Sequence, residues 1–400
     1  MISITFSSRF AGWLSPCLEF RHLRELKFDG ILHQFDREIL VSIGEALPEL
    51  DSFILDAEYD PRISTPQLKT DDAREDGIQE PAASTMGLSS GNQEEAKMAS
   101  GLCPSDDRTP QDGAMSPSMS PTKNTSLLPE PTFRQLRKLH IVGCLELIHD
   151  LLSLCSGLED VSMTLVRSDE LTQSNITKET DIFTSIVEGI LSRTDDKHLT
   201  RLFIGQQCEL EAFPLLTLPP ILPLHTVEKM LLHPTLEYLE IANWTLDATA
   251  TCLSCLAPSP LRFKSKLTTL RLPVGNINPG IKLSELRYLA VSCPDLVSLR
   301  STIILDIKNL PQYKVGRAAD VPLSHNLQTM SVGSVDGPAW NQMQYSTVAR
   351  HLFVLFPALQ IQVQIHPGWN PVRWISIRDM LQMYQTVCLD NNARSSLHVL

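Results

Sequence analysis

The chain has 400 residues, 42% of them hydrophobic, and a formal net charge of −12. That is enough apolar material for a large core or for a repeat array, which lengthens without adding new cores. The acidic balance argues against a nucleic-acid binder with a basic footprint, and no apolar run of about 18 residues free of Pro and charge suggests a membrane span.

The first residues, Met1-Ile2-Ser3-Ile4-Thr5-Phe6-Ser7-Ser8-Arg9, lack a basic region followed by an apolar one and a small-residue cleavage site, so no signal peptide is expected. Nine cysteines are scattered, several within apolar periodic segments. That usage fits buried free thiols in a reducing compartment, the cytoplasm or nucleus. On this reading the sequons at Asn124, Asn175 and Asn243 carry no glycan.

The first periodic stretch is Leu23-Arg24-Glu25-Leu26-Lys27-Phe28, where apolar and charged residues alternate as in a half-buried strand. A helix is predicted over about 36–46. It stops at Leu47-Pro48-Glu49-Leu50, and a second strand runs through Leu55. Residues 57–131 then hold 13 Asp or Glu against 6 Lys or Arg, a net of −7, with one aromatic, Tyr59. Such a segment buries too little apolar surface to offset its ordering entropy, which predicts a disordered insert. Thr65, Thr109, Ser116 and Ser120 each precede a proline and are candidates for proline-directed kinases.

Periodicity resumes at 133. Leu136-x-x-Leu139-x-Ile141-x-x-Cys144 matches a leucine-rich-repeat strand and its turn. Helices are predicted over about 145–155, 181–193, 248–256, 283–291 and 346–356. Strands open at Leu158, Leu199, Leu236, Leu267, Leu296, Leu327 and Leu359, and an apolar proline-rich loop runs from Phe213 to Leu224. The tail carries Trp369 and Trp374 and a predicted helix over about 377–389.

Five helix-to-strand joins share one form: Leu47-Pro48-Glu49-Leu50, Cys155-Ser156-Gly157-Leu158, His233-Pro234-Thr235-Leu236, Cys293-Pro294-Asp295-Leu296 and Phe356-Pro357-Ala358-Leu359. Pro ends four of the helices, because the residue before it avoids helical dihedrals and Pro offers no N–H. Gly157 ends the other by taking a left-handed conformation. From Leu236 onward the strand starts are 29 to 32 residues apart. Polar residues alternate with the apolar ones, as in Lys138/His140, Tyr238/Glu240, Thr269/Arg271 and Ser298/Arg300. One sheet face is therefore wet, unlike a doubly wound sheet covered on both faces. The expected fold is α/β: a solenoid with a parallel concave sheet and convex helices.

These strands, joins and repeats resemble the leucine-rich-repeat region of F-box proteins, especially divergent fungal ones, over roughly 20–56 and 133–365. The resemblance implies a horseshoe that holds a protein substrate for a cullin ubiquitin ligase through a Skp-type adaptor. The chain departs from that group in having no Leu-Pro-x-Glu-[Leu/Ile] F-box before the first repeat; Leu47-Pro48-Glu49-Leu50 mimics the opening but sits in a join. The expected organisation is repeats over 1–56, the insert over 57–131, repeats over 132–366 and a cap over 367–400. A free-standing repeat scaffold without a ligase link is the alternative.

No catalytic, metal or cofactor constellation is expected. Cys252-Leu253-Ser254-Cys255 has metal or redox spacing but no second pair, and neither His-Glu-x-x-His nor Gly-x-Ser-x-Gly occurs. The chain reads as a non-enzymatic protein binder. The candidate partner-binding residues are the outward strand positions Lys138, His140, Arg201, Phe203, Tyr238, Glu240, Arg271, Ser298 and Arg300, with Glu25, Lys27, Asp160 and Thr269 on the same face. Phe203, Tyr238 and Arg271 are residue types that anchor interfaces.

Overall fold

The computed structural model describes residues 3–7, 22–29, 37–56, 132–166, 173–192, 198–207, 221–246, 265–274, 280–311, 325–333, 340–363 and 371–397. The expected insert over 57–131, the expected helix over 248–256 with Cys252 and Cys255, and most of the proline-rich loop lie outside them.

The described elements are, in chain order, β1 (Ser3–Ser7), β2 (Glu25–Asp29), α1 (Arg37–Ala46), β3 (Ser52–Asp56), β4 (Lys138–Gly143), α2 (Leu145–Ser153), β5 (Asp160–Val166), α3 (Gln173–Ser192), β6 (Arg201–Gln207), β7 (Ile221–Leu222), α4 (Leu224–Leu231), β8 (Tyr238–Ala242), β9 (Thr245–Leu246), β10 (Thr269–Arg271), β11 (Ile281–Lys282), α5 (Leu286–Ser292), β12 (Ser298–Ile304), β13 (Thr329–Gly333), α6 (Gln342–Leu355), β14 (Gln360–Val363) and α7 (Val372–Leu397).

The main sheet runs β1-β2-β3-β4-β5-β6-β8-β10-β12-β13-β14, with each pair parallel. Strand order follows chain order and never reverses, so this sheet has no topological switch point of the nucleotide-binding kind. β11 pairs with β12 beyond the end of β10, and β7 pairs with β9 in a small separate sheet.

The register explains why the leucine spacing matters. Leu26, Phe53, Leu139, Val161, Leu202, Leu239, Leu270, Leu299, Met330 and Ile361 form one continuous row across the strands, and all are buried. Three residues earlier a second row, Leu23, Leu50, Leu136, Leu158, Leu199, Leu236, Leu267, Leu296 and Leu327, is at most 1% exposed. Two rows of buried apolar side chains thus supply one core shared along the sheet. A backbone row reinforces them. Before most strands of the sheet one carbonyl accepts two consecutive N–H groups at the start of the next strand, as Arg24 O does from Asp51 and Ser52, Glu159 O from Thr200 and Arg201, and Val297 O from Gln328 and Thr329.

Helices cover the leucine side. α2 buries Leu147, Ile148, Leu151 and Leu152 beneath β4 and β5. Gly157 lies at φ 72°, the left-handed geometry expected of its join. The Pro-containing joins end α4 at Leu231, α5 at Ser292 and α6 at Leu355. His325 staples two of them: its Nε2 donates to Cys293 O at 2.8 Å, the Leu327 N–H donates to its Nδ1 at 3.0 Å, and its ring meets Phe356 edge-on. At the C-terminal end α7 packs on α6 and β14. Trp374 is fully buried, and the Gln385 amide donates to Pro357 O and Leu359 O.

Several boundaries differ from the expectations. The region 283–291 opens as a 3-10 turn, Leu283–Glu285, before α5. α3 begins eight residues before the expected 181, and α7 is longer at both ends than the expected 377–389. The thiols are not uniformly buried: Cys155 and Cys293 are, but Cys144, at the N-terminus of α2, is exposed. None of the described helices is long and apolar enough to cross a membrane.

Candidate functional site

The face opposite the leucines is made of the alternating positions. One row runs Glu25, Ser52, Lys138, Asp160, Arg201, Tyr238, Thr269, Ser298, Thr329, Gln360. The next runs Lys27, Ile54, His140, Ser162, Phe203, Glu240, Arg271, Arg300, Ser331, Gln362. All are half-buried or exposed. Every candidate residue of the sequence therefore lies on this one face, at positions fixed by the strand period of two. Ser162, Ile54, Thr329, Ser331, Gln360 and Gln362 belong to it as well. Counting alternate positions from each buried Leu, Val, Met or Ile finds them.

The middle of the face is a charged and aromatic stack. Tyr238 on β8 lies beneath two guanidinium groups, Arg201 at 4.7 Å and Arg271 at 5.8 Å from its ring centre. Its hydroxyl donates to Glu240 Oε2, and the same oxygen pairs with Arg271 at 3.3 Å. Arg201 also meets Asp160 at 3.4 Å. Burial pushes the Tyr238 phenol above its ordinary range, helped by the Glu240 carboxylate and opposed by Arg271 and Arg201. Each contact is small, about 0.5–1 kcal/mol for an exposed cation–π pair and less for an exposed ion pair. Together they hold long side chains in one geometry, which lowers the ordering cost of an interface.

Phe203 stands beside this stack on β6. A Cβ on Gly205 would come 2.8 Å from Phe203 Cε1 and 3.1 Å from Thr164 Oγ1. The ring thus lies back along its own strand, over a position that only glycine leaves open. On the β4 side, His140 Nδ1 is 2.8 Å from Ser162 Oγ, its register neighbour. Burial lowers the His140 pKa; Asp56 raises it, Lys27 lowers it and Asp160 raises it.

Toward β14 the character changes. The outward rows of β10, β12, β13 and β14 carry Arg271 and Arg300, hydroxyls and amides, and no carboxylate. Ser331 Oγ donates to Gln362 Oε1 at 3.2 Å. Arg300 sits in register between Arg271 and Ser331.

Among the described residues, no group of three His, Cys, Asp or Glu is placed to hold a metal ion. The remaining perturbed histidines, His233, His325 and His351, belong to the packing and not to this face. No family model matches the chain, and no curated protein matches it.

Proposed function

We propose that the chain is a leucine-rich-repeat solenoid that binds a protein on its polar sheet face, as the substrate-recognition part of an F-box-like subunit of a cullin ubiquitin ligase. In this reading the sheet is the concave side of a horseshoe, the helices are convex, and the chain does no chemistry. The carrying observation is the preformed Arg201–Tyr238–Arg271–Glu240 stack in the middle of a sheet face that no described helix covers. Aromatic and arginine side chains held in place before binding are what a protein interface uses as anchors. The ligase link rests on the sequence resemblance alone.

The second reading is a free-standing scaffold with no ligase link. Leu47 and Leu50 of the F-box-like string are each 1% exposed inside a helix-to-strand join, so that string belongs to the core. Affinity capture with the full chain separates the readings. Recovery of a Skp-type adaptor supports the ligase role. Recovery of a partner without the adaptor, lost on Tyr238→Ala, supports the scaffold. Partners that survive both Tyr238→Ala and Arg271→Glu unchanged would remove the face from either account.

A further inference from the structure

We propose that the β10–β14 end of this face is a subsite for an acidic peptide segment of the protein partner, with the Arg300 guanidinium receiving its carboxylate. The inference rests on the docking face described above and specifies the chemistry of what docks there.

Among the described residues, Arg300 is the guanidinium on the face that stands without a counter-charge. Arg201 has Asp160, Arg271 has Glu240, and Arg137 beside the face has Asp51 and Glu159. Arg300 makes no hydrogen bond or ion pair with a side chain among the described residues, and its Nε is buried without an acceptor. Its register neighbour on one side is another arginine, about 4.8 Å away at the strand spacing. Like charges in that position repel, and a desolvated donor without an acceptor is costly. A carboxylate arriving from solvent relieves both.

The surroundings select a peptide. Ser298, Thr329, Ser331 and Gln362 offer neutral hydrogen-bonding groups around Arg300 and add no acid. The four strands span about 14 Å, which about four residues of extended chain cover. These rows hold no apolar side chain from β10 to β14 to enter a bilayer, and two arginines are too few for a phosphate backbone. The whole chain is acidic, at −12, so an acidic ligand gains only where positive charge is local.

The test is fluorescence anisotropy of the full chain with three labelled octapeptides: one rich in Glu and Asp, its Gln/Asn counterpart and its Lys counterpart. The acidic probe is expected to bind tightest, to weaken as NaCl rises, and to lose about tenfold in affinity on Arg300→Gln. Arg300→Lys retains part of it. Arg287→Gln, an equal charge loss at an exposed position of α5, leaves it unchanged. Because Arg300→Gln removes an unsatisfied buried donor, its melting temperature should match or exceed that of the parent chain. A residue serving the fold alone would lower it. An acidic probe that binds no better than its Gln/Asn counterpart, including no binding of either, overturns the proposal, as does equal loss in Arg287→Gln. If the Lys probe wins and Tyr238→Ala abolishes it, the face still docks a partner and only its polarity is wrong.

Discussion

The folded chain should lose stability in acid, chiefly through His351. This side chain on α6 is 1% exposed, and its Nε2 lies 3.2 Å from Leu283 O, 68 residues away. A carbonyl only accepts, so Nε2 carries the proton and the neutral ring satisfies the bond. Burial lowers the His351 pKa from 6.5 to about 4, against the opposite pull of the Leu283 carbonyl and Asp306. Above pH 6.5 the ring is neutral in both folded and unfolded chain and contributes no pH dependence. As pH falls below 6.5 the unfolded chain takes up a proton that the folded chain refuses, so stability is lost down to about the folded pKa. Between pH 8 and pH 5 that amounts to about 2 kcal/mol. His140, His233 and His325 are displaced in the same direction and steepen the slope. Urea midpoints followed by circular dichroism across this range measure it. His351→Gln keeps a donor for Leu283 O, and its loss between pH 8 and pH 5 should be about 2 kcal/mol smaller than that of the parent chain. An unchanged slope in the variant would refute the reasoning.

Leu299→Ala, in the buried row that crosses the strands and 1% exposed, should cost about 2–5 kcal/mol in denaturant unfolding. Gly157→Ala forces a side chain onto a φ of 72° and should cost about 1–2 kcal/mol by the same measurement. Gly205→Ala meets the Phe203 ring and should cost about 1–3 kcal/mol. By contrast, Gly189→Ala in α3 meets nothing within 4 Å and should stabilise by about 0.5–1 kcal/mol; thermal melts of the two variants give opposite signs.

The parts of the fold legible in the sequence were those that repeat. Leu236, Leu267, Leu296 and Leu327 recur at one spacing because each closes a join and enters the same buried row. Tyr238, Thr269 and Ser298 could be assigned outward because strand side chains alternate. What pattern reasoning missed was local or long-range. β1 shows the alternation Ile2, Ile4, Phe6, but no proline join marks it. β7 and β9 are two residues each, too short for a period. Cys144 fits the repeat consensus by spacing yet is exposed, because α2 begins at the very next residue and buries Leu145 instead. That the register neighbours of Arg300 are Arg271 and Ser331, and not acids, is a property of neighbouring strands about 30 residues apart in sequence, and needs the register to be seen.

The most direct measurement is hydroxyl-radical footprinting of the full chain with and without a captured partner. Phe203 and Tyr238 report the sheet face; Met343 on α6 and Met383 on α7, 79% and 56% exposed, report the helix layer. The account predicts that the partner protects Phe203 and Tyr238 and leaves Met343 and Met383 as reactive as before. Protection of the two methionines with Phe203 and Tyr238 unchanged would contradict it.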